Sequence, residues 1–62
     1  MFLELDVVTL VRDLPEERLV AGAVGTIVGI WAEGVYEVEF MADGVTIAVV
    51  TLEEGDLRAL TE

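Results

Sequence analysis

Histidine, cysteine, serine, lysine, asparagine and glutamine are all missing from the 62 residues, and arginine, with three copies, is the only basic side chain. These absences remove most of the groups that act as nucleophiles, as general bases near neutral pH, or as soft metal ligands. The chain is therefore expected to be non-catalytic, with no metal and no cofactor. Without cysteine there is neither a disulfide framework nor a thiolate site. A secreted protein of this size usually needs such a staple, so the expected compartment is the cytoplasm. No uninterrupted apolar run approaches the roughly 20 residues that span a bilayer, and Met1-Phe2-Leu3-Glu4-Leu5-Asp6 puts acids where a signal peptide carries bases. Neither a membrane role nor export is expected.

Acids are abundant instead: 13 Asp and Glu against three arginines give a formal net charge of −10. Such a surface repels phosphate and anionic lipid, so nucleic acid is not an expected ligand. It favours a basic protein partner, whose encounter rate it raises in a salt-dependent way. Solubility is the plainer use of the same charge. The length allows one domain, residues 1–62, and a chain this short buries only about 60% of its unfolded surface, which keeps a homodimer in view.

Valine-rich stretches broken by Gly, Asp and Glu follow the pattern of short, closely spaced strands. Leu5 to Arg12 reads as the first strand. Asp13 to Gly22 reads as a loop with room for one helical turn, because Pro15 removes a ladder donor; its Leu14, Leu19 and Val20 are expected to tuck against the barrel as a flap. Gly22 and Gly25 are turn glycines feeding a second strand from about Thr26, and Gly29 within that strand marks a bulge. Ala32-Glu33-Gly34 turns the chain.

Val35 to Met41 alternates cleanly, with Tyr36, Val38 and Phe40 on one face and Glu37 and Glu39 on the other. Ala42-Asp43-Gly44 supplies the positive φ of a hairpin turn. Val45 to Val50 returns as strand four, apolar on both faces except at Thr46, so its outer face calls for a cover. Thr51 and Glu54 have capping-box spacing for one 3₁₀ turn, and Leu57 to Leu60 forms a short last strand. The sum is an all-β, five-stranded SH3-like barrel with a long first loop.

The segments Leu5-Asp6-Val7-Val8, Arg12-Asp13-Leu14-Pro15, Gly22-Ala23-Val24-Gly25-Thr26-Ile27-Val28, Tyr36-Glu37-Val38-Glu39-Phe40 and Asp56-Leu57-Arg58 together resemble the small bacterial family catalogued as domain of unknown function 4926. The resemblance spans nearly the whole chain. It implies a cytoplasmic SH3-like barrel from genes that look like parts of toxin–antitoxin or immunity pairs, and it brings no catalytic residues. The Gly22 to Val28 turn also resembles the KOW type of ribosome- and polymerase-associated barrels. Those are basic, and this chain departs from them where RNA contact needs charge.

Trp31 and Tyr36 flank the second turn, where SH3-like barrels often present aromatics to peptides; packing of Trp31 on the barrel end is the alternative. The candidate partner-binding residues are Trp31, Glu33, Glu37, Glu39 and Asp43, an aromatic anchor among charges that set rate and orientation. Their carboxylates also suit a hard cation, but no loop has the ligand order of a calcium site, and a solvated acidic face is the reading adopted. Asp6, within an apolar strand, needs a partner if buried; Arg58 or Arg12 is the candidate, and an Asp6–Arg58 pair would fix register between the first and last strands. Exposure of Asp6 on an edge is the alternative. Gly22, Gly25, Gly29 and Gly44 are assigned structural roles. The function expected is a non-catalytic protein-binding module, with an antitoxin or immunity role against a basic toxin as its concrete form. The alternatives are a self-associating barrel or a regulatory subunit docking on an enzyme.

Overall fold

Strict alternation in the middle of the chain builds the central wall of the computed structural model, which describes residues 1–60. In strand β3, Val35–Ala42, the inward side chains of Tyr36, Val38 and Phe40 are buried while Glu37 and Glu39 face out, half-buried. Strand β2, Val24–Ala32, and strand β4, Val45–Glu53, pair antiparallel on either side of it. Strand β1, Val7–Leu10, extends the sheet beyond β2, and β5, Leu57–Ala59, lies beyond β1. The order β4-β3-β2-β1-β5 curls one five-stranded antiparallel sheet into a small barrel-like fold. The expected all-β, five-stranded architecture is present, with the difference that β4 and β5 are left as edges and do not pair to close the barrel.

The core is contributed by every strand: Val8 and Leu10 from β1, Ile27 from β2, the β3 triplet, Leu52 from β4 and Leu57 from β5. Two loops close its ends. One is the first loop, with a 3₁₀ turn at Pro15–Glu17, where Leu14 and Leu19 exchange backbone hydrogen bonds of 2.8 and 3.1 Å and bury their side chains. Asp13 Oδ1 accepts the Ala21 amide at 2.8 Å and ties the loop's base together. The other is the N-terminal strap, whose Phe2 fills the opposite gap.

Four expectations are corrected. Val20 is 65% exposed: the Leu14–Leu19 exchange admits only those two side chains, and Val20 lies on the outgoing leg, where its carbonyl accepts the Ala23 amide. Thr51 does not cap a turn; it sits in β4, which runs longer than expected, and the 3₁₀ turn Glu54–Asp56 is capped by Glu53 in a capping box with Asp56. No Asp6–Arg58 pair forms, although β1 and β5 are neighbours as expected. Their register sets Arg58 opposite Thr9, and half-buried Asp6 instead accepts the Leu3 amide at 2.8 Å. Strand β1 is also shorter than expected, because Leu5, with a φ of +75°, turns the chain just before it.

The hairpin turn between β3 and β4 behaves as its residues dictate. Asp43 and Gly44, at φ +53° and +79°, supply the consecutive left-handed pair that matches the twist of β3 and β4. Gly25 answers a different need, close approach: a Cβ there would stand 2.7 Å from Val38 Cγ1 and 2.9 Å from Phe40 Cε1.

Candidate functional site

The outward face of β2, β3 and β4 carries most of the candidate residues, and cross-strand register assembles it. One row sets Gly29, Glu37 and Thr51 side by side, and the next sets Thr26, Glu39 and Val49. Register shifts between Ile27 and Gly29 and between Ile30 and Ala32 place the irregularity expected at Gly29 one residue earlier, at Val28, and add a second one at Trp31. These carry Trp31 to the Glu37 side of the sheet, where its indole N–H donates to Glu37 Oε1 at 2.8 Å. The Thr51 hydroxyl donates to the same oxygen at 2.8 Å. Glu39 Oε2 accepts the hydroxyl of Thr46.

Glu37 is thus a fixed carboxylate. The Trp31 donation, then that of Thr51, holds its pKa below the usual glutamate range by stabilising the charged form. Trp31 is 70% exposed, so it does not plug the barrel end. Oε2 of Glu37 and Oε1 of Glu39 are left for an incoming donor, beside an open aromatic face. Such a combination accepts a lysine or arginine by hydrogen bond and by cation–π contact.

Glu33 and Asp43 are placed apart from this group. They occupy the two turns at opposite ends of β3, separated by an eight-residue strand of about 26 Å. The structure therefore brings together Trp31, Glu37 and Glu39 and sets Glu33 and Asp43 at the two ends of the same acidic sheet. Residues 24–53 contain Glu33, Glu37, Glu39, Asp43 and Glu53 and no arginine. Among the described residues no three carboxylates converge as a metal site needs, no pocket opens, and no helix is long and apolar enough to cross a membrane.

Two networks escape a reading of the sequence. The Tyr36 hydroxyl accepts the Phe2 amide at 3.0 Å and donates to Glu54 Oε1, while Glu54 Oε2 receives the Met1 ammonium. Donation to the carboxylate raises the Tyr36 pKa, and the ammonium followed by Tyr36 lowers that of Glu54. The second network joins Arg12 Nε to Asp56 Oδ1 at 2.8 Å; this hydrogen bond holds Asp56 below the usual carboxylate range. Both link residues more than 40 positions apart or meet across the barrel end, so no local spacing announces them. The partners of Glu37 and Glu39 did have a signal, the threonines of β4, legible once the β3–β4 register is fixed.

A family model described as Domain of unknown function (DUF4926) matches residues 4–59. No curated protein and no solved structure matches the chain.

Proposed function

Given that the chain belongs to the DUF4926 family, we propose that it is a non-catalytic, cytoplasmic protein-binding module that docks on a basic partner through the outward face of β2, β3 and β4. The observation that carries this reading is the exposed Trp31 locked to Glu37 within residues 24–53, the stretch of β2, β3 and β4 that has five acids and no base. Interface anchors favour a large aromatic whose geometry is fixed before binding, because less side-chain entropy is then lost. Trp31, Glu37 and Glu39 form the centre, and Glu33 and Asp43 steer from the two ends. The concrete role we favour is the antitoxin or immunity half of a pair, in which the acidic face occludes the positive groove of a toxin.

The test is capture from lysate of the source cell, with elution in steps of rising salt. The wild-type chain should retain a basic protein that salt releases, and a chain carrying Glu37→Lys and Glu39→Lys should not. Retention of the same protein to the same salt by the charge-reversed chain would refute the assignment of this face. A second reading, self-association, is favoured by the half-exposed apolar residues of β4, and sedimentation showing only monomer would remove it.

A further inference from the structure

The two edges of the sheet are unequal. β5 spans three residues and carries Arg58, whereas β4 spans nine, Val45–Glu53, with one side of its backbone unpaired. Natural edges are blunted by proline, lysine, inward charge or shortness. β4 has no proline, no lysine and no inward charge, and its single irregularity is the register shift opposite Phe40 and Met41. Val45, Ile47 and Val49 are 64%, 54% and 50% exposed. Ala48 and Val50, although packed against the core, stay half-buried, so the barrel wall is unfinished along this seam.

We infer that β4 is an acceptor edge and that its occupant is an extended segment of a basic partner, which adds as a sixth strand and completes the wall over Ala48 and Val50. This rests on the basic-partner reading above and specifies how the partner binds. Charge chooses the occupant. An antiparallel pairing of two β4 strands about Val49 would bring Glu53 of each copy to the Asp43 end of the other, with no base on β2, β3 or β4 of either copy to offset it. A strand with basic ends meets Asp43 at one end and Glu53 at the other and gains where a second copy loses. Main-chain hydrogen bonds supply affinity, and the alternate side chains over the seam supply selectivity.

The experiment uses the full chain and a nine-residue peptide of alternating valine and threonine with lysine at both ends. Two control peptides replace the lysines by glutamates or carry N-methyl groups at alternate positions. Amide hydrogen exchange is followed residue by residue by NMR. The lysine-ended peptide should slow exchange at alternate β4 amides roughly tenfold or more at saturation, less so in high salt, while both controls leave them unchanged. Changes confined to Trp31, Glu37 and Glu39, with no β4 amide protected, would overturn strand addition and leave the basic-partner reading standing. Equal binding of the glutamate-ended peptide, or no binding of any peptide, would overturn the inference. Protection of β4 in the free protein that disappears on dilution would assign the edge to a second copy and overturn it as well.

Discussion

Phe2 and Tyr36 hold each other twice. Their rings meet edge to face with centroids 5.4 Å apart, and the Phe2 amide donates to the Tyr36 hydroxyl at 3.0 Å. The strap that seals one end of the core is thereby fixed by packing and by a polar contact at the same residue.

Tyr36→Phe separates the two. The ring contact survives, but the buried Phe2 amide loses its acceptor, and an orphaned buried donor costs on the order of 1 kcal/mol or more. Thermal unfolding followed by circular dichroism should show a midpoint lowered by about 5 °C. An unchanged midpoint would mean that the hydroxyl does not hold the strap.

Gly25→Ala tests close approach without a change of backbone preference. The added methyl group would fall within van der Waals radii of Val38 and Phe40, two residues of the core that cannot both retreat. Overpacking of this kind costs roughly 1–3 kcal/mol, seen as a lower urea midpoint with an unchanged slope. The same substitution at Gly55, where no atom lies within 4 Å, should be nearly silent.

Glu37→Gln isolates the charge of the pinned carboxylate, since glutamine keeps an oxygen for Trp31 and Thr51. The folded pKa of Glu37 lies below that of a free glutamate, about 4.3, so the unfolded chain binds more protons in that window. The stability due to the charge is complete above the unfolded value and disappears as pH falls through the folded one. Wild type should therefore unfold at a higher temperature than the variant at pH 7, and the gap should close below about pH 4. A gap independent of pH would show that charge plays no part.

Asp56 serves two partners, accepting from Arg12 and from the Glu53 amide at 3.1 Å, whereas Arg12 is exposed and serves one. Asp56→Ala removes the cap along with the ion pair and should cost about 1 kcal/mol. Arg12→Ala should cost clearly less and become silent in high salt, as exposed pairs do. Equal losses in urea titrations would place the whole effect in the ion pair.

Sequence periodicity made β3 and its buried triplet legible, because Tyr36, Val38 and Phe40 alternate with two glutamates over a run with no interruption. Asp43-Gly44 and Gly29 were legible from backbone chemistry, the first through positive φ and the second through the irregularity glycine permits. The strap was not, since Phe2 is one apolar residue among several near the start and only the folded sheet shows that it joins the core while Leu3 and Leu5 do not. The Asp6–Arg58 pairing failed for a related reason. Adjacency of β1 and β5 follows from topology, but which residues face each other depends on a register that no turn connects. Of the candidate face, the Trp31–Glu37–Glu39 centre follows from the bulges and the sheet pleat, and the wide separation of Glu33 and Asp43 follows from the length of β3.

The first bulge of β2 has the effect of a parity change. Ile27 faces the core, and simple alternation would send positions 29 and 31 inward after it; the extra residue at Val28 puts Gly29 outward, opposite Glu37. Without that offset the largest side chain of the chain would be aimed at a barrel already filled by Tyr36 and Phe40, and Glu37 would lose its indole donor. Insertions and deletions in this strand are therefore changes of face before they are changes of length, and the acidic surface depends on a residue count as much as on residue types.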